Sequence, residues 1–255
     1  MTDVKRFPGR VQWRELMTTD VERAKAFYGP LLGWTFKTED MGGGFLYTLV
    51  HVGDKQIAAA YERMPEMEGV PPHWASYVSV PDVDAACATA KAHGGQVPRE
   101  PMDVPNVGRM APVVDPDGAV IWPYRSSDEL GDTPPGQPAT GEFCWETLVT
   151  RDVARAKSFY GALFGWKAED APMPVFSVDG TPEGMVADFQ KAETMPPAWL
   201  TYVVVDELAA ARDRAAALGG TILVPQVDVP TVGSFALVAD PTGAVLGLFE
   251  GLNGG

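Results

Sequence analysis

The sequence predicts an α+β protein of two tandem domains, each made of paired βαβββ modules whose curved mixed sheet forms a cup with helices outside. Three observations predict it. The chain repeats internally, a strand–helix–three-strand pattern recurs inside each copy, and Gly-Gly and Asp-Pro-x-Gly turn signals fall at matching places. Residues 13–34 (WRELMTTDVERAKAFYGPLLGW) align without gaps on 145–166 (WETLVTRDVARAKSFYGALFGW), with 14 of 22 positions identical and an offset of 132. Pro71-Pro72-His73-Trp74, Gly94-Gly95 and Asp115-Pro116-Asp117-Gly118 then face Pro196-Pro197-Ala198-Trp199, Gly219-Gly220 and Asp240-Pro241-Thr242-Gly243 at an offset of 125. The second copy therefore has shorter loops in its middle. The boundaries expected are residues 1–125, a semi-extended linker at 126–140 rich in Pro, Gly, Ser and Asp, and residues 141–255.

The elements follow in order. Val11 to Thr18 alternates as a strand, and Asp20 is placed to cap a helix with apolar positions Val21, Ala24, Tyr28 and Leu31. Gly29-Pro30 is expected to end that helix. Extended stretches follow at Trp34–Lys37, Phe45–Val52 and Gln56–Tyr61, the last two divided by Gly53-Asp54. The second module repeats the order: strand Trp74–Val80, a helix from Asp82 to a Gly94-Gly95 stop, then strands near Gln96–Pro101, Arg109–Asp115 and Ala119–Tyr124. Helices cover one face of each sheet, so the other face must be buried by curling around a shared cleft.

Composition excludes several classes. The chain has 255 residues, 45% hydrophobic, with no apolar run near the roughly 20 residues that a membrane helix needs. A net charge of −14 and the lack of a basic stripe oppose nucleic acid or anionic lipid as partners. The N-terminus lacks a signal-peptide core and the only cysteines are Cys87 and Cys144, so a cytoplasmic location is expected. Neither cysteine has a neighbouring His, which argues against thiol catalysis. Met41-Gly42-Gly43-Gly44 has no following helix or Lys and reads as a hairpin loop rather than a phosphate loop.

The run W-x-E-L-x-T-x-D-V-x-R-A-K-x-F-Y-G-x-L-x-G-W, the later Gly-Gly and the closing D-P-D/T-G-A-V resemble the vicinal-oxygen-chelate superfamily of glyoxalases, bleomycin-resistance proteins and extradiol dioxygenases. The likeness covers nearly all of both domains. It implies paired βαβββ cups, and tandem fusions that look like covalent versions of the family's dimers. The partner expected is thus a small molecule, with the chain either a monomeric pseudo-dimer or a homodimer.

The resemblance also implies a metal test. Metal-dependent members place His, Gln or Glu on the first and last strands of each module. Seven residues before Asp20 and Asp152 stand Trp13 and Trp145, which cannot ligate a divalent ion. The same rule from Asp82 and Glu207 gives Ala75 and Leu200, and the closing strands give Trp122 and Gly247. The remaining strand offers Ile57 to Ala60 in the first copy and only Asp188 in the second. His51, His73 and His93 cannot rebuild two sites. Neither a metal nor another cofactor is expected.

Strand alternation puts Glu15 beside Trp13, Tyr77 beside Ala75, Tyr124 beside Trp122, Thr147 beside Trp145 and Tyr202 beside Leu200. The candidate ligand-binding residues are Trp13, Glu15, Tyr77, Arg109, Trp122, Trp145, Thr147 and Tyr202, with Glu15 the one candidate base and Arg109 in a loop that could close the mouth. Each has a plainer reading as core, ion pair or solvated loop. Three functions stay open: a metal-free cup binding an aromatic or apolar molecule, a glyoxalase- or oxygenase-like enzyme, or a non-catalytic interaction protein with decayed sites.

Overall fold

Capping chemistry fixes where three of the four helices begin. The computed structural model of the protein describes residues 4–170, 173–181, 184–191 and 195–252. The first module is β1 (Val11–Thr18), α1 (Val21–Leu32), β2 (Thr35–Asp40), β3 (Leu46–Val52) and β4 (Lys55–Glu62). The second is β5 (His73–Ser79), α2 (Val83–Ala92), β6 (Met102–Val104), β7 (Gly108–Met110), β8 (Val113–Val114) and β9 (Val120–Ser126). The third is β10 (Phe143–Thr150), α3 (Val153–Phe164), β11 (Lys167–Glu169), β12 (Val175–Ser177) and β13 (Met185–Lys191). The fourth is β14 (Ala198–Val204), α4 (Leu208–Ala217), β15 (Thr221–Val229), β16 (Gly233–Ala239) and β17 (Val245–Gly251). Asp20, Asp82 and Asp152 each accept a hydrogen bond from the backbone N–H three residues on, satisfying a helix-start donor.

Hydrogen bonding orders the strands β2-β3-β4-β1-β5-β9-β7-β6, with β8 on β9, and β11-β12-β13-β10-β14-β17-β16-β15. Both sheets are mixed: β1 runs parallel to β4, β5 to β9, β10 to β13 and β14 to β17, while neighbouring strands such as β3 and β4 or β16 and β17 run antiparallel. These are the paired βαβββ modules expected from the sequence.

Packing divides the chain into two compact units, each drawing one module from either copy of the repeat. The first comprises Met1–Trp13, Ala75–Gly136 and Glu146–Trp199; the second comprises Arg14–Trp74, Gln137–Trp145 and Leu200–Gly255. In the first unit Phe159, Tyr160, Trp166, Phe176 and Trp199 are buried with Ala111 and Ile121. In the second, Phe27, Tyr28, Trp34 and Trp74 are buried with Leu208, Ala211 and Leu246.

The repeated motifs meet inside these cores. Trp199 Nε1 donates to Tyr160 Oη at 2.9 Å, and Tyr160 Oη donates to Asp115 Oδ2 at 2.9 Å. Asp115 Oδ1 accepts the backbone N–H groups of 117, 118 and 119, which closes the D-P-D-G turn. The second unit repeats the device, with Trp74 Nε1 donating to Tyr28 Oη at 3.1 Å and Asp240 closing its own turn. Burial, and then the adjacent Asp240 or Asp115 charge, pushes both phenols well above the usual tyrosine range. A Cβ on Gly95 would lie 2.7 Å from the Phe159 ring, and one on Gly220 would lie 2.7 Å from Phe27. The second glycine of each Gly-Gly pair is thus a seat for an aromatic ring.

Three expectations change. Helix α1 runs through Pro30 to Leu32 and stops at Gly33 in the left-handed region, φ 71°. Pro30 costs one N–H near the C-terminal end of the helix, and packing of Leu31 and Leu32 carries the helix past it. The strand expected at Gln96–Pro101 is a single bridge from Gln96 to Val114, because Pro98 and Pro101 lack donors. Pro112 likewise splits Arg109–Asp115 into β7 and β8, whereas Leu237 at the matching place leaves β16 continuous. The segment 126–140 is anchored at Asp132, which accepts from Phe7 N, Ser79 Oγ and Ser126 Oγ at 2.5–2.7 Å.

Candidate functional site

Strand register builds an aromatic wall in the first unit. Tyr77 on β5 stands opposite Trp122 on β9, and Met110 on β7 stands opposite Tyr124. The Tyr77 and Trp122 rings stack with centroids 5.1 Å apart at 26°, and Tyr124 meets Tyr77 edge-on at 6.3 Å. Ala75 and Met110 complete the buried cluster, and Trp13, Met102 and Val104 pack against it half-buried. Tyr124 Oη is satisfied by the Val107 carbonyl at 3.0 Å. The Trp122 indole N–H is different: it is buried, and among the described residues no acceptor reaches it. An unpaired buried donor costs about 1–3 kcal/mol relative to a bonded one.

Arg109 does not join this wall. It lies on β7 between Gly108 and Met110, so alternation turns it to the opposite face, where it pairs with Asp84 on α2 at 2.7 Å and Asp103 at 2.7 Å. Those bonds hold Asp84 below the usual carboxylate range. The cleft there, about 460 Å³, is lined by these charges with Arg125 and Asp128. Its role as a closing residue over the aromatic wall has no geometric support, because its strand position points it away.

In the second unit, Glu15 on β1 is opposite Ala59 on β4 and accepts a 2.5 Å hydrogen bond from Tyr47 Oη on β3. Phe45 sits 6.3 Å from Tyr47 and 5.8 Å from Tyr61, ring centre to ring centre. The sequence reading missed Phe45, Tyr47 and Tyr61. Alternation on the middle strands would have found Tyr47 and Tyr61 once the β1–β4 and β3–β4 registers were known, while Phe45 lies in the loop before β3.

The matching positions of the second copy differ. Thr147 on β10 is opposite Asp188 on β13 and donates to it, and Gln190 Nε2 donates to Asp188 at 3.0 Å. The carboxylate has moved from the first strand of the module to the last. Tyr202 on β14 is opposite Gly247 on β17, and a Cβ at Gly247 would lie 2.1 Å from the Tyr202 ring. Where the first copy stacks Trp122 on Tyr77, the second lays Tyr202 over a glycine, with Phe235 edge-on at 5.4 Å. Trp145 is half-buried on β10, next to Cys144, whose thiol donates weakly to the Tyr202 carbonyl.

The residues at the family's ligand positions do not fit a divalent cation. Trp13, Ala75 and Trp122 present rings and a methyl group in one apolar cluster, and Ala58, Ala59 and Ala60 are buried on β4. Among the described residues no group of three or more His, Cys, Asp or Glu could hold a metal ion. His73 Nδ1 is spent on the Pro71 carbonyl and His93 Nδ1 on the Thr89 carbonyl.

Comparison with known proteins agrees with the fold. The family model described as "Glyoxalase/Bleomycin resistance protein/Dioxygenase superfamily" matches residues 10–122 and 143–248. The chain is 32% identical over 251 residues to the Mycobacterium bovis protein named "Putative glyoxylase CFP32", covering 95% of each. It is 31% identical over 260 residues to "Anthracycline biosynthesis protein DauV" of Streptomyces sp. strain C5, covering 95% of this chain and 94% of that one. The crystal structure of the 2,3-dioxygenase LapB from Pseudomonas sp. KL28 superposes with a TM-score of 0.63 at 13% identity, covering 96% and 93% of the two chains. No helix among the described residues is long and apolar enough to cross a membrane. Two matched stretches, two full-length relatives and four modules in the family's order lead to one statement: the chain belongs to the glyoxalase/bleomycin resistance protein/dioxygenase superfamily.

Proposed function

We propose that this protein binds a small planar aromatic or apolar molecule without a metal, in the manner of a sequestering or carrier member of its superfamily. The observation that carries the reading is the stacked Tyr77–Trp122 pair with a buried indole N–H that lacks an acceptor. A planar ligand with a carbonyl or ring nitrogen lying in the plane of the indole would accept that hydrogen bond, with its apolar body packed against the neighbouring rings. One relative is named for anthracycline biosynthesis, which supports a small-molecule ligand. In this reading Trp13, Tyr77 and Trp122 make contact with the ligand, and Trp145 and Tyr202 shape a second, more filled cup. The protein would act in the cytoplasm, with its two copies standing for the two subunits of a dimer.

The test is calorimetry and thermal unfolding with a panel of aromatic metabolites and antibiotics against stoichiometric zinc, nickel, manganese and iron. Stabilisation by at least one planar compound, and by none of the metals, is the expected outcome. Stabilisation by a divalent ion alone would remove the proposal.

A second reading rests on the Glu15–Tyr47 pair. A carboxylate oriented by a hydrogen bond from a phenol is a candidate general base, which suits a glyoxalase- or oxygenase-like enzyme with Glu15 in that role. Turnover lost in Glu15→Gln, with the circular dichroism of the parent retained, would establish it.

A further inference from the structure

One hydrogen-bond donor is left over inside the first unit, and its surroundings say what kind of atom would meet it. An indole N–H can only donate. Those of Trp34, Trp74, Trp166 and Trp199 are all spent within the fold, on the Gly141 carbonyl, the Tyr28 hydroxyl, the Gly9 carbonyl and the Tyr160 hydroxyl at 2.7–3.1 Å. The Trp122 N–H is equally buried and meets no acceptor among the described residues. Tyr77 stacks on the indole ring, and the hydroxyl of Tyr124, two residues along β9, is turned to the Val107 carbonyl. The other copy of the repeat has no such donor. Its matching residue is Gly247, where a Cβ would lie 2.1 Å from the Tyr202 ring.

A donor stripped of water by the fold has met its desolvation cost before any ligand arrives. An incoming acceptor therefore gains the bond and gives up only its own hydration, whereas a hydrocarbon of the same shape gains burial alone. The chemistry of the cluster limits the charge of that acceptor. Ala75 and Met110 are buried beside the rings, with Met102 and Val104 packed against them. The cations of β7 and β9, Arg109 and Arg125, alternate to the opposite face, where Arg109 pairs with Asp84 and Asp103 and Arg125 with Asp128. An anion at Trp122 would lose its water without a cation from these strands in return, and the net charge of −14 opposes its approach. A neutral lone pair meets neither penalty.

We infer that Trp122 is the specificity-determining residue of the proposed site, and that the ligand turns a neutral acceptor, a carbonyl oxygen or a pyridine-type ring nitrogen, toward its N–H at one position per chain. This rests on the reading above that the protein binds a planar molecule, and it deepens that reading by fixing which polar group the molecule carries and which residue selects it.

The experiment uses two matched pairs, naphthalene with quinoline and fluorene with 9-fluorenone, and the anion 2-naphthoate. Binding to the full chain is read by calorimetry at pH 8, where quinoline is neutral. Quinoline and 9-fluorenone should each bind about tenfold more tightly than their hydrocarbon partners, and 2-naphthoate more weakly than quinoline. The preference should belong to a single site per chain. Replacing Trp122 by 3-benzothienylalanine keeps a bicyclic ring of the same shape and removes only the N–H. In that variant the preference within each pair should vanish while the hydrocarbons keep their affinity to within about threefold. Trp122→Phe should lose the preference as well. Equal affinity within both pairs, a preference undiminished in the benzothienyl variant, tighter binding of 2-naphthoate than of quinoline, or two sites per chain with the same preference would each overturn the assignment while the planar-ligand reading stands. Failure of every probe to bind would defeat that underlying reading as well.

Discussion

At the level of single residues, Trp122 is the side chain whose environment is least explained by folding alone. Its ring is held by Tyr77, but its N–H gains nothing from the fold. Trp122→Phe should therefore change stability by no more than about 1 kcal/mol, since relief of an unpaired donor offsets the smaller ring, while affinity for a planar ligand falls about tenfold. Urea unfolding and calorimetry on the same sample separate the two effects. Asp117 makes the opposite case, a carboxylate whose role is structural. Burial raises its pKa, but bonds from Thr150 Oγ1, the N–H groups of Asp152 and Arg151, and Arg155 outweigh this and hold it at about 2 against an ordinary 3.8. Because the folded value lies below the unfolded one, the stabilisation is complete above about pH 4 and is lost as pH falls toward 2. Asp117→Asn should lower stability at pH 7 by on the order of 1–2 kcal/mol and flatten the pH dependence between 4 and 2. A parallel loss in parent and variant over that window would show that other carboxylates set the acid limit.

At the level of elements, the repeated motifs were readable in the sequence because they are punctuation: Asp caps, Gly stops and Asp-Pro-x-Gly turns act through the local backbone. Their partners were not readable. Nothing local says that the glycine after α2 seats Phe159 of α3, or that Tyr160 reaches Asp115. The same limit explains the site. Alternation along one strand places Tyr77 beside Ala75, and the spacing from Asp115 places Trp122, whereas the meeting of Tyr47 with Glu15 needs the register of three strands. Arg109 follows the loop at 105–108 in the sequence, and only the pairing of β7 with β9 shows which face it takes. The glycine seat gives a direct check. Gly95→Ala should cost about 1–3 kcal/mol, since the added methyl meets a buried ring and the Val114 carbonyl at 2.9 Å with no room to yield. Combined with Phe159→Leu, the two losses should be less than additive in urea unfolding, because the smaller side chain frees the space that the methyl takes. Strict additivity would mean that the ring and the glycine do not act together.

At the level of the whole molecule, the sequence repeat and the compact units divide the chain along different lines, and this can be tested by cutting it. Read as a tandem repeat, residues 1–125 and 141–255 are two domains. Yet Tyr160 and Phe159 of the second copy complete the turn and glycine seat of Asp115 and Gly95 in the first, and Phe27 of the first copy fills the seat at Gly220 in the second. Each half alone would leave half of every such network exposed, with buried rings such as Tyr28 and Tyr160, now 1% and 0% accessible, facing water. Because the copies share these motifs, a half has one substitute for its missing partner, namely a second copy of itself, in which Phe27 meets Gly95 and Tyr28 meets Asp115 across a two-fold axis. Expressed separately, 1–125 and 141–255 should therefore be either unfolded or homodimeric, with unfolding midpoints that depend on concentration. Mixed together, they should recover a cooperative transition close to that of the intact chain. Circular dichroism with sedimentation equilibrium reads both properties. A half that is folded and monomeric at micromolar concentration would show that each copy is a self-sufficient domain, and that the motif network running from one copy to the other contributes little to holding either together.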